Sequence, residues 1–303
     1  MANAGMTRTL LTGFTVFALA NSSVQAHPRP PVKSGTRVMV LSKEAMLRVE
    51  DERPVPVPIG VVFTVTQTNG KWVWFEGSGA DASSGWIWEW DVIPLSDAAE
   101  YTTAQIQKEP DEWSLYFVRG RAREQTGQLD LALIDFSMCM RLRSRDPRMF
   151  VARANVWKKK REIRAMLADL KQASRLDPTD PLTMDRIAWT LATHPDAGIR
   201  NGPLAVRYAL RSCDLTSYDN WFYLETLAAA FAESGQFKPA TAFAEKVAEM
   251  APPEKADDCR ARLTLYQQGQ PYRQSTASAK VSGKTEVSGP GSSRTAAAPA
   301  NRN

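Results

Sequence analysis

Four residues in the stretch YFVRGRAREQTGQLDLALIDF constrain the fold more than any other feature: Gly120, Gly127, Ala132 and Phe136. Their successive spacings predict two short helices, a tight turn between them and a small residue where the helices cross. Gly127 suits a backbone that leaves the first helix at positive φ. Ala132 allows close approach, and Phe136 fills the space between the helices. The same spacing, degraded or interrupted, returns three times before residue 253. A chain of stacked helix pairs is organised as a scaffold for binding rather than around a catalytic pocket.

The segment 1–26 reads as a signal rather than as part of the fold. Arg8 precedes the apolar run LLTGFTVFALA, and NSSVQA ends in small residues, so cleavage is expected after Ala26. The run is short for a membrane span, which takes roughly 20 residues. The mature protein is therefore expected in a periplasm or outside the cell, with no stable membrane insertion after cleavage. Cys139, Cys213 and Cys259 are an odd count and give no disulfide framework. Cys139 and Cys213 fall where small residues pack in helices, so both are expected to be buried small hydrophobes.

The formal charge of +5 does not mark a nucleic-acid binder. Between Gln270 and Asn303, Arg273, Lys280, Lys284, Arg294 and Arg302 stand against Glu286 alone, and Arg8 leaves with the signal. The region 27–269 is then formally neutral. The tail 270–303, rich in Ser, Ala and Gly, has little to bury and should be disordered.

From residue 31 to 96 the pattern is short and period-two. TRVMVL and AMLRVE are brief β-prone runs, and VPVPIG interrupts them with prolines that exclude a central strand. VVFTVTQTNGKWVWFEG gives two strands around Asn69-Gly70, a pair that favours a tight hairpin. GWIWEWDVIPL follows. Five short strands in so few residues are expected to close into a small barrel. Trp72, Trp74, Trp86, Trp88 and Trp90 alternate along the last strands as one aromatic row, either core or ligand surface. In the order of these runs, and in the Gly85-Trp86 pair, the region resembles the bacterial Src-homology-3-like barrels of exported proteins. That resemblance implies a five-stranded barrel that binds peptides, cell-wall material or a partner domain.

The segment 97–112 reads as a linker. Four helix pairs and a capping helix are expected over 113–269. The inward positions are Tyr116, Gly120, Ala132, Phe136 and Cys139 in the first pair. Ala154, Trp157, Ile163, Leu170 and Ala173 hold them in the second, where Arg161 stands in place of a turn glycine. RLRSRDP reads as three residues beyond the usual repeat length. DAGIRNG delays the second helix of the third pair by about five residues. The fourth pair, YLETLAAAFAESGQFKPATAFAEKVAEMAP, is the cleanest. These units resemble tetratricopeptide repeats. The resemblance implies an α-α superhelix that binds extended peptides or helices along a concave face lined by first helices, and that rarely catalyses.

No catalytic, cofactor or metal constellation is visible. His194 has no second His or Cys at ligand spacing, no Gly-x-Ser-x-Gly elbow occurs, and FEGSGAD lacks the Lys and helix of a phosphate loop. The chain is expected to be non-catalytic and to need no cofactor. The basic run between Arg141 and Arg164 is either ordinary helix surface or part of a groove. Counting along the repeat places Phe117, Arg121, Glu124 and Gln125 on the concave face from the first pair. Val151, Asn155, Lys158 and Lys159 follow from the second, Asp185 and Trp189 from the third, and Glu225, Ala229 and Glu233 from the fourth. Such a groove is basic at its start and acidic toward its end. The expected partner is a protein or peptide, with a cell-wall polymer as the alternative and no nucleic acid.

Overall fold

The computed structural model describes residues 31–49, 53–77, 84–143 and 145–275. The signal 1–26, His27 and the tail beyond residue 275 lie outside the described residues.

The first third of the described chain holds short strands: β1 (Arg37–Val40), β2 (Met46–Leu47), β3 (Val55–Pro56), β4 (Val62–Thr64), β5 (Thr68–Asn69), β6 (Trp72–Phe75), β7 (Gly85–Trp88) and β8 (Val92–Pro94). They do not close into the expected Src-homology-3-like barrel. They form three open antiparallel sheets, ordered β4-β1-β8, β2-β3 and β5-β6-β7. An isolated bridge between Arg48 and Trp86 links the second to the third. A closed ring needs an unbroken ladder, and this one is interrupted. Pro54, Pro56 and Pro58 have no N–H to donate, and β2 and β3 are two residues each. The hairpin at Asn69-Gly70 does form, with Gly70 at φ 59° and Asn69 opposite Trp72. Val38, Val40, Leu47, Phe63, Val73 and Ile87 make the apolar core of this region.

Among the described residues ten α-helices follow: α1 (Leu95–Lys108), α2 (Trp113–Gln125), α3 (Leu129–Leu142), α4 (Pro147–Lys159), α5 (Ile163–Leu176), α6 (Pro181–Thr193), α7 (Gly202–Leu215), α8 (Trp221–Glu233), α9 (Phe237–Met250) and α10 (Ala256–Gln267). The first helices open at Trp113, Pro147 and Pro181, in equal steps of 34 residues. RLRSRDP therefore adds nothing to the repeat length. Each opening is capped alike. Glu112, Asp146, Asp180 and Asn220 accept the backbone N–H of Ser114, Arg148, Leu182 and Phe222, respectively. Pro147 and Pro181 sit where a missing N–H costs nothing.

The turns inside the pairs are also alike. Gly127, Arg161 and Gly235 are left-handed, with φ of 81°, 63° and 74°. After each, the next N–H reaches back five residues: Gln128 to Arg123, Glu162 to Trp157 and Gln236 to Phe231, at 2.8–2.9 Å. Arg161 keeps the turn geometry at a steric cost that glycine avoids. Arg161→Gly is expected to raise stability by about 0.5–1 kcal/mol. A denaturant melt of the full chain checks this.

Residues 97–112, expected as a linker, lie mostly within a helix of the array. α1 lies 34 residues before α3 at both ends, and β8 runs into it without a break. Thr103 takes the place of Ser137. The hydroxyl of Thr103 meets Arg119 at 3.1 Å, and that of Ser137 meets Arg153 at 3.3 Å. α1 is thus the second helix of a half unit that starts the stack, and α10 is the first helix of a half unit that ends it.

Two buried ion pairs repeat with the same period. Arg119 grips Asp135 with bonds of 2.8–3.2 Å, and Arg153 grips Asp169 at 2.7 and 2.8 Å. Ile187 and Leu227 replace the arginines in the third and fourth pairs. Gly120 lets this packing form, because a Cβ there would lie 2.9 Å from the Phe136 ring.

Candidate functional site

The residues assigned to the groove from the first pair are not on an open face. Phe117 is buried, in a core shared by Met39, Ile59 and Ile93 of the strand region and Tyr116 of α2. A side chain at Gly60 would lie 2.8 Å from the Phe117 ring. Arg121 Nε donates to the Gly60 carbonyl at 3.4 Å, and Arg37 donates to Gln125 Oε1 at 3.0 Å. The strand region therefore covers Phe117, Arg121 and Gln125, and the face accessible along the first helices begins at the second pair.

There Val151 and Asn155 are half-buried, and Lys158 and Lys159 are exposed. The Asn155 carbonyl oxygen accepts from Arg186 of α6 at 2.5 Å. Lys159 Nζ lies 2.8 Å from the carboxylate of Glu124, which is buried and also paired with Arg121. Lys159→Glu removes one of the partners of that buried carboxylate. It is expected to cost about 1–3 kcal/mol of stability. A charge reversal at Lys158 and Lys159 therefore probes the fold as well as binding, and thermal melting shows it.

Most of the basic run is accounted for by partners inside the chain. Arg148 holds the cap Asp146 with bonds of 2.6–3.2 Å, and Arg143 and Arg148 lie over the Trp113 ring at 4.7 and 5.8 Å. Burial pushes the Asp146 carboxyl up, but the side-chain and backbone bonds from Arg148 outweigh it and lower it below the usual value. Arg153 pairs with Asp169, and Lys160 with Asp130. These pairings explain the run without a polyanion.

At the far end, Asp185 and Glu225 are buried and Trp189 is half-buried. Glu225 pairs with Arg262 of α10. Glu233, the last residue of α8, pairs with Arg200 and with Arg273. Residues 271–275 follow α10 without regular secondary structure, and Tyr272 lies 6.0 Å from the Trp189 ring. The acidic end of the face is thus met by the chain's own C-terminal segment. In the sequence, Tyr272 is the single aromatic residue of 270–303 and sets this segment apart from the rest of the tail.

The tryptophan row divides. Trp72, Trp74 and Trp86 form a buried cluster of their own, opposite the side chains of Val73 and Ile87. Trp74 and Trp86 meet edge to face at 5.2 Å, and the Arg48 guanidinium lies 5.0 Å from the Trp72 ring. Trp88 and Trp90 are 36% and 48% exposed.

All three cysteines are buried. Burial pushes the Cys213 thiol up to about 12, with Asp185 and Asp214 adding to it; burial also raises Cys139 and Cys259. None is expected to react with a thiol-specific dye until the chain unfolds. Dye incorporation across a urea titration should therefore follow the unfolding curve. Among the described residues no cluster of His, Cys, Asp and Glu could hold a metal, and no helix is long and apolar enough to cross a membrane.

No family model matches the chain, and no curated protein matches it. Solved structures do. A tetratricopeptide repeat protein from Parabacteroides merdae is 16% identical over 58% of this chain and 68% of its own, with a TM-score of 0.50. The C-terminal part of a TPR repeat-containing protein from Cytophaga hutchinsonii is 18% identical over 57% and 67%, at 0.48. YrrB, a TPR protein with an unusual peptide-binding site, is 17% identical over 56% and 86%, at 0.47. The fold is a tetratricopeptide-like helical repeat. Such a stack is held together by contacts between neighbouring repeats.

Proposed function

We propose that the protein is a non-catalytic adaptor in an exported compartment, whose repeat array binds a protein or peptide partner. The observation that carries this is the face shared by α4, α6 and α8. It bears half-buried Val151, Asn155 and Trp189 among charges of both signs, outside the part covered by the strand region. A surface of mixed charge around partly apolar anchors favours an oriented, extended partner. Export rests on the signal-like pattern of residues 1–26. Mass measurement of the mature chain from a periplasmic or culture fraction tests it, and a chain still beginning at Met1 would remove it.

The strand region and α1–α4 share one apolar core, so the binding test uses the intact chain. The immobilised protein should retain a discrete set of proteins or peptides from periplasmic extract, identified by mass. Retention of nothing above background would sink the adaptor reading. A second reading, attachment to cell-wall polymer, draws on the exposed Trp88 and Trp90. Sedimentation with purified wall material tests it, and loss of sedimentation on Trp88→Ala/Trp90→Ala would support it. No sedimentation at low salt would dismiss it.

A further inference from the structure

α10 ends as the earlier first helices do. Gly269 is left-handed at φ 69°, and Gln270 N–H donates to the Leu265 carbonyl at 2.9 Å. In the first, second and fourth pairs that turn starts a second helix. Here Pro271 follows, and residues 271–275 run back across the array instead.

Three successive residues of this segment are each read by a different kind of contact. The Tyr272 ring lies near Trp189 of α6, with centroids 6.0 Å apart, and Arg262 of α10 is 5.3 Å from its centroid. The Arg273 guanidinium pairs with Glu233. Gln274 N–H donates to the Thr193 carbonyl at 2.9 Å, at the end of α6. We propose that this surface is a docking site for an extended segment bearing an aromatic side chain followed by a cation. The chain fills it with its own Pro271–Ser275 until a partner segment of the same chemistry displaces them.

Two features make the site one that outlasts its occupant. Glu233 is also held by Arg200 at 3.1 Å, and Arg200 is fixed in turn by the carbonyls of His194 and Pro195, both at 2.9 Å. The long connection in the third pair thus aims a carboxylate at the incoming cation whether or not Arg273 is there. Tyr272, Arg273 and Gln274 are themselves only half-buried, so they can leave without opening the array's core. The proposal rests on the adaptor reading and specifies its site. The tether gives the chain's own segment an effective concentration in the mM range, as for a short flexible linker, so a competing peptide sees a weakened site.

The test uses the full chain and a labelled synthetic peptide, GQPYRQST, in a fluorescence anisotropy titration. Tyr272→Ala/Arg273→Ala is expected to bind the peptide about 10-fold or more tightly than the wild-type chain, whose site is filled. Glu233→Lys in that background should remove the binding, and a peptide with Glu in place of Arg should restore it. Equal binding by wild type and variant, or binding by neither, would overturn the proposal, as would binding indifferent to Glu233. Should the double variant fail to melt cooperatively, Arg273→Glu alone replaces it with the same readouts, since that side chain is one-third exposed. Retention of partners from extract with no peptide binding would leave the adaptor reading standing and this site rejected.

Discussion

Asp135→Ala is expected to lower the stability of the folded chain by about 3–5 kcal/mol, because it strands two guanidinium groups in a mostly dry helix interface. Asp135 is fully buried between α2 and α3. It accepts from Arg119 at 2.8 Å and from Arg123 at 2.8 Å, and those side chains are 13% and 17% exposed. Removing the carboxylate leaves two desolvated cations facing each other with no anion between them. Asp169→Ala removes the equivalent group one repeat later. It should cost less, since among the described residues Arg153 alone pairs with it and is more exposed. Paired urea melts of the two variants measure the difference. Equal losses, or a loss below about 1 kcal/mol at Asp135, would show that these pairs contribute no more than surface ones do.

Leu227→Asp should be at least as damaging. Leu227 is fully buried in the core shared by the third and fourth pairs. The substitution removes a core side chain, which alone costs about 2–5 kcal/mol, and adds a carboxylate with no place for water. Against a total stability of order 5–15 kcal/mol, the variant is expected to lose its cooperative thermal transition under conditions where the parent keeps it. Leu227→Ala separates the two contributions. It should melt lower but cooperatively, and a Leu227→Asp chain that melts like Leu227→Ala would mean that the charge reaches solvent.

How much of this was visible beforehand varies by element. The fourth pair was legible residue by residue because Leu227, Ala228, Gly235, Ala240 and Ala244 make local, short-range contacts that a spacing records. The second pair's turn was legible even with Arg161, since the five-residue back-bond after it depends on the helix period and not on a side chain. α1 does not stand out in the sequence, although a signal for it is present. Ala98 and Thr103 stand 34 residues before Ala132 and Ser137. Read forward from a proline-broken β region, the segment has no apolar stripe long enough to stand out. The Arg119–Asp135 and Arg153–Asp169 pairs could also have been found, from two like charge pairs displaced by one repeat.

Other features of the fold have no signature at the level of sequence. The strand runs and the Asn69-Gly70 hairpin were read correctly as local elements, but closure is a property of hydrogen-bond register between strands far apart in the chain. Period-two alternation assigns a strand's two faces and says nothing of which edges meet. Alternation does put Trp72, Trp74, Trp86 and Trp88 on one face, where Trp72 meets Trp88 and Trp74 meets Trp86 edge to face. It does not say how deeply each is covered: Trp72, Trp74 and Trp86 are buried, and Trp88 and Trp90 are exposed. Counting along a helix placed Phe117, Arg121 and Gln125 on the concave side, without showing that the Gly60 turn lies on top of them.

The sequence by itself determined the repeat: where helices start, where they turn, and which small residues let them cross. Those are contacts within about one repeat length, fixed by backbone sterics and by the helical period. Only the tertiary structure decided which parts of the shared face are open. The strand region covers one end of it, and Tyr272–Gln274 cover part of the other. Both covers are docked by contacts between residues distant in sequence, Arg37 with Gln125 and Arg273 with Glu233. The geometry of such contacts is set by how whole elements stack, and no local pattern carries it.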